Sequence, residues 1–164
     1  VGFVADSLSG NAVYEVQAVA GGSLAEHILM RAGLEAGDML GDEKSLVMGP
    51  GAAGFEVDRI DATQGSPLTT TCLASARMPE SYVLAVEEIG SHSHLNLTSA
   101  GNNDVRADCA LVEYPNGGAV FATGSINWSG CLSAQQYQGS ISRLTEAALL
   151  TFLSAAPARD SSPN

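Results

Sequence analysis

Pro115-Asn116-Gly117 constrains the fold of this chain more than any other stretch. Asn and Gly supply the positive-φ positions of a tight turn. They stand between two β-rich runs, Val105–Tyr114 and Gly118–Gly124, so the segment predicts an antiparallel hairpin. In its first arm Arg106 and Asp108 alternate with Val105, Ala107 and Cys109, the pattern of a half-exposed strand. Val1–Asp6, Leu46–Met48, Thr69–Ala76 and Tyr82–Val86 read as further strands. Ser23 predicts an N-cap for a helix over Leu24–Leu34, with Glu26 in its first turn and Gly33 near its end. A closing helix follows Ser140 or Ser142, with Ile141, Leu144, Ala148, Leu149 and Phe152 on one apolar face. Asn11–Ala20 fits strand or helix. Glu35–Lys44 and Ser99–Asp104 read as loops, and Gly65-Ser66-Pro67 as a turn. Together these predict an α/β or α+β layered domain over residues 1–156 and a frayed tail over 157–164.

A chain of 164 residues suits one domain with a real core. Seven basic residues against 18 acidic ones give a net charge of -11, which argues against nucleic acid and anionic membrane surfaces as partners. No apolar run approaches the length of a membrane span. Cys72, Cys109 and Cys131 are odd in number and form no CxxC, so the expectation is inert thiols in a reducing, cytoplasmic setting. The chain does not begin with Met, and Val1–Asp6 lacks the regions of a signal peptide; the expectation is a piece of a longer protein.

The densest chemistry is in Gly51–Asp61, GAAGFEVDRID. Small residues let the backbone come close to a neighbour. In an extended segment Glu56 and Asp58 share one face, and Phe55, Val57 and Arg59 the other. A carboxylate flanked by Phe55 and Val57 is a candidate for partial burial and a shifted pKa; the plainer alternative is a surface ion-pair cluster with Arg59. Ser125–Ser129 follows the strand Ala119–Thr123, where ligands bind in open α/β sheets. Trp128, the single Trp, suits either a pocket wall or the core. His92-Ser93-His94 with Glu87 and Glu88 has the donors of a divalent metal site, or of a solvated loop. The GxSxG, GxxxxGK[ST] and GxGxxG patterns are absent. Asn96-Leu97-Thr98 and Asn127-Trp128-Ser129 match the glycosylation pattern and, with no secretory signal, count as chance.

The order of GAAGFEVDRID, Gly65-Ser66-Pro67, Glu87-Glu88, Val105-Arg106-Ala107-Asp108, Pro115–Phe121, Gly124-Ser125 with Trp128, and Ser142–Glu146 resembles the C-terminal region of the N,N-dimethylformamidase large (beta) subunit family. The match runs from about Gly41 to Leu153 and more loosely from Val1. The resemblance implies the C-terminal portion of a class I glutamine-amidotransferase-like, flavodoxin-like layered α/β domain. It implies an amidohydrolase that cleaves N-substituted formamides to formate and an amine. It further implies iron held by tyrosine phenolates and a carboxylate upstream of the matched region, and an oligomer with a small subunit; no metal ligand is assigned in this chain. Glu56 takes the place of the family's catalytic carboxylate. Asp58 and Arg59 are expected to position it, and Ser125, Asn127 and Trp128 to wall the substrate pocket. Ser129 departs from the family's Cys behind the Trp, and His92–His94 and Ala18–Ala36 match nothing in the pattern. Two other readings stay open: a non-catalytic scaffold or assembly domain of the same fold, and a small metal module on Glu87, Glu88, His92 and His94.

Overall fold

The computed structural model describes residues 2–5, 11–45, 49–78, 82–84 and 105–154. In chain order its elements are β1 (Gly2–Ala5), β2 (Tyr14–Val16), α1 (Leu24–Ala32), β3 (Met39–Leu40), β4 (Lys44–Ser45), β5 (Gly49–Pro50), β6 (Glu56–Asp58), β7 (Thr70–Arg77), β8 (Tyr82–Leu84), β9 (Arg106–Glu113), β10 (Ala119–Ala122), α2 (Asn127–Cys131) and α3 (Ser140–Ser154). The hairpin forms, with β9 and β10 paired antiparallel and the Tyr114 amide donating to Gly118 O at 2.8 Å, but of the Asn-Gly pair Gly117 alone takes positive φ, 85°. α1 starts from the Ser23 cap, whose hydroxyl accepts from the Glu26 amide at 3.1 Å, and stops at Gly33 in the left-handed region.

The main sheet has five strands in the order β10-β9-β7-β2-β3, and a smaller sheet has the order β6-β1-β8. Every ladder among the described residues is antiparallel. The chain is therefore a mixed α/β domain with an antiparallel sheet and a closing helix. On β9 the buried residues Ala107, Cys109 and Leu111 share one face and join the core with Tyr14, Val16, Ile28, Leu40, Ile141 and Leu144. In β7 one extra residue between Cys72 and Ala74 makes a bulge, and Leu73 and Ala74 are both buried.

Four expectations are corrected. β9 is not half-exposed: Ala107 through Val112 are all buried, because Asp108, Ala110 and Val112 lie under the segment that follows β6. Glu35–Lys44 is not all loop, since β3 forms where Leu40 pairs opposite Tyr14 and β4 begins at Lys44. Leu149 is 59% exposed and does not join the buried face of α3. Neither Ser140 nor Ser142 caps that helix from outside; α3 already begins at Ser140, whose amide and hydroxyl donate to the buried Glu43 carboxylate, while the Ser142 hydroxyl donates to Leu132 O. Leu46–Met48, Glu87, Glu88, His92, His94, Asn96 and Ser99–Asp104 lie outside the described residues.

Candidate active site

Small residues bring the site together. Ala52 and Ala53 are fully buried, and Ala53 exchanges backbone hydrogen bonds with Ala12 at 2.7 and 3.0 Å. A Cβ on Gly51 would meet Ala12 O at 2.8 Å, and φ there is 94°, so glycine is required at this crossing. Phe55 then takes a φ of 69° and turns the chain into β6.

On β6 the alternation holds: Val57 is 2% exposed, and Glu56 and Asp58 face outward. The expected partial burial of Glu56 does not occur; its side chain is exposed, because only Val57 faces the core. The strand backbone is fixed on two sides. β1 pairs along one edge. Along the other, the Asp58 amide donates to Gly124 O at 2.9 Å and the Ile126 amide to Glu56 O at 3.1 Å.

Of the sequence-derived candidates after β10, Ser125 stands opposite Val57 in an isolated bridge, while the backbone contacts to Asp58 and Glu56 come from Gly124 and Ile126. Ser125 Oγ accepts from the Gly54 amide at 2.8 Å and the Asn127 amide at 3.2 Å, and donates to Gly54 O at 3.0 Å. Asn127 is fully buried and its amide group donates to Gly51 O, so this Asn does not stand as a surface glycan acceptor. Trp128 is 3% exposed. Its indole N–H donates to Thr145 Oγ1 at 3.0 Å, and its ring stands edge-on to Tyr14 at 5.4 Å and Phe121 at 6.1 Å. Ser125 and Asn127 thus hold the strip at Gly54 and Gly51, and Trp128 packs into the core beside them.

Arg59 meets Asp61, Nη2 to Oδ2 at 2.7 Å. The Thr63 hydroxyl, donating to Asp61 Oδ1 at 2.6 Å, is the main influence that holds Asp61 below the ordinary carboxylate value; burial opposes it, and the Thr63 amide and Arg59 assist.

Sequence reasoning missed the strongest polar centre. Asp108 is 4% exposed and accepts from the Ile60 amide at 2.9 Å, the Ser75 hydroxyl at 2.7 Å and Arg106 Nε at 2.9 and 3.0 Å. Arg106 Nη2 donates to Ile60 O at 3.2 Å. The available signal was an Arg two residues from an Asp in one strand arm, with apolar neighbours between. Above Asp108, Ala110 and Ala122, and under Asp58 and Pro67, lies a cavity of about 170 Å³.

The three thiols are free. Burial, with the Asp108 charge second, pushes Cys72 up to about 12; burial, with Glu43 second, pushes Cys131 up to about 11; burial raises Cys109 well above the ordinary value. Among the described residues no three His, Cys, Asp or Glu side chains gather as a metal site. Nor do Tyr14, Tyr114 and Tyr137 make a phenolate set: Tyr14 is buried and donates to Thr123 O at 2.9 Å, and Tyr114 and Tyr137 are exposed. These three tyrosines do not fit an iron centre.

A mixed α/β domain that displays an exposed carboxylate from a strand tied down on both edges is the class that fold and site define. The chain belongs to the family described as N,N-dimethylformamidase beta subunit-like, C-terminal, matched over residues 1–139. It is 33% identical over 126 residues to the N,N-dimethylformamidase beta subunit of Paracoccus aminophilus and 32% identical over 126 residues to that of Alcaligenes sp; each match covers 77% of this chain. The chain spans 16% of the length of these relatives. No helix among the described residues is long and apolar enough to cross a membrane.

Proposed function

We propose that this chain is the C-terminal part of an amidohydrolase that cleaves N-substituted formamides of the N,N-dimethylformamide type to formate and an amine, with Glu56 as its catalytic carboxylate. The observation that carries the reading is the display of Glu56: an exposed side chain on a strand whose backbone is hydrogen-bonded along both edges, inside the family-matched region. A carboxylate so held can take a proton from a water attacking the formyl carbon and return it to the leaving amine. Asp58 extends the same outward face. The 170 Å³ cavity beside Asp58 is of a size for a small amide's alkyl groups. The iron implied by the resemblance would polarise the carbonyl, and its ligands are assigned to residues outside this chain. On the same reading the domain is the closing portion of a glutamine-amidotransferase-like layered unit, the protein works in the cytoplasm, and the beta subunit assembles with itself and a small subunit.

The test is Glu56→Gln in the full-length protein, with N,N-dimethylformamide as substrate. Turnover is expected to fall by about 10²–10⁴-fold, with fold and metal content unchanged. Wild-type turnover would sink the reading. A second reading, a scaffold or assembly domain, draws on the engagement of Ser125, Asn127 and Trp128 in holding the chain together. It predicts instead that Glu56→Gln lowers stability or assembly and leaves turnover per site unchanged.

A further inference from the structure

We propose that Asp108 and Arg106 are positioning residues that fix where Glu56 stands; the proposal rests on the reading of Glu56 as the catalytic carboxylate. β6 is three residues long and makes no ladder with the main sheet. Among the described residues, a pair of side chains on one face of β9 ties the strip after β6 to that sheet. Asp108 takes the amide hydrogen of Ile60, and Arg106 donates to the carbonyl of the same residue. Together they satisfy both backbone polar groups of Ile60, as a neighbouring strand would. Arg106 Nε reaches both Asp108 oxygens, and Ser75 from β7 donates to Oδ1, so the carboxylate has its own orientation set from two strands. The Asp108 side chain is 2% exposed and that of Arg106 30%, so the pair is desolvated enough to hold its geometry.

The consequence reaches Glu56 through an extended backbone. Gly124 and Ile126 fix the strip sideways at Glu56 and Asp58, and the β9 pair fixes it at Ile60. With both ends held, the strip cannot slip. A slip of one residue would turn Val57 outward and Glu56 inward. A smaller displacement leaves Glu56 exposed yet out of reach of its proton, and a shift near 1 Å can cost about 10²-fold in rate.

The experiment uses the full-length protein carrying Asp108→Asn, Arg106→Gln or Glu56→Gln, with steady-state hydrolysis of N,N-dimethylformamide and deuterium exchange over residues 56–60. Asp108→Asn keeps the shape and loses the ion pair. Arg106→Gln frees the Ile60 carbonyl and leaves Asp108 on the amide, and it gives the answer if Asp108→Asn does not fold. Each is expected to lower kcat about 10- to 100-fold with KM within about twofold, and to speed exchange over 56–60 more than elsewhere. A purely structural role would lower the active fraction and loosen exchange across the whole domain. If Glu56→Gln is inactive while Arg106→Gln keeps wild-type kcat and wild-type exchange at 56–60, the clamp is overturned and the catalytic reading stands. If Glu56→Gln turns over normally, the catalytic reading falls and takes the positioning role with it.

Discussion

Ser125→Ala probes the junction on which the displayed strand depends. The hydroxyl accepts two amide hydrogens, from Gly54 at 2.8 Å and Asn127 at 3.2 Å, and donates to Gly54 O at 3.0 Å. Removing it affects these groups unequally. Gly54 O still receives the Asn127 amide, at 3.4 Å, so that pair keeps a partner. The Gly54 amide sits at a buried residue and loses the only acceptor the structure gives it among the described residues. Stranding one buried donor costs about 1–3 kcal/mol, and the lost neutral hydrogen bonds add about 1 kcal/mol. The expected destabilisation is about 2–4 kcal/mol. With a urea m-value of about 2 kcal/mol/M the midpoint should fall by about 1–2 M, with m unchanged. The thermal midpoint should drop by about 5–10 °C. Glu56→Gln is the companion measurement, because an exposed side chain substituted conservatively should stay within about 0.5 kcal/mol of wild type. A midpoint shift under about 0.3 M for Ser125→Ala, with m unchanged, would refute the assignment of Ser125 as the tie between the two segments.

Gly124→Ala is expected to be worse than Ser125→Ala. The residue has φ 69°, and a Cβ there would collide with the Asp108 backbone, so a loss of about 3 kcal/mol or more should appear as poor soluble yield and a lowered urea midpoint. The thiols should react slowly with iodoacetamide at pH 7 in the folded chain and quickly in urea, read by mass spectrometry. Their raised pKa values also set a pH dependence. A protonated thiol is favoured in the fold, so its contribution is whole below the ordinary value of 9.0; above it the unfolded chain sheds protons first, and stability falls through about 11 for Cys131 and about 12 for Cys72. Urea midpoints measured at pH 8 and pH 10.5 should show that fall, and a rise would contradict it.

Legibility followed distance along the chain. The hairpin at Asn116-Gly117 and the helix between Ser23 and Gly33 declare themselves within a few residues, and both stand where the local pattern puts them. The outward face of Glu56 and Asp58 also followed from period two alone. Asp108 did not, because what makes it matter is held by Ser75 and Ile60, 33 and 48 positions away. Its own strand reads as half-exposed until the segment after β6 is laid over it. The closing helix shows the same limit. Ser140 reads as its own cap, yet the acceptor is Glu43, 97 positions earlier. The family resemblance reached further than periodicity because it carries the order of distant motifs, and it brought the two segments that meet at Ser125 into one reading.

The Glu43 contact also bears on where this domain can be cut. The family model matches residues 1–139, and α3 begins at residue 140. That helix is part of the interior: Ile141, Leu144, Ala147 and Ala148 are in the core, and Thr145 receives the Trp128 indole hydrogen. Gly139 is where the two meet, since a Cβ there would press on the Glu43 carboxylate at 2.6 Å. A chain trimmed at residue 139 would strand the buried Glu43 carboxylate and uncover the face of α1 against which α3 packs. A transplant of this domain into another protein therefore has to carry residues through 154 for its core to stay closed.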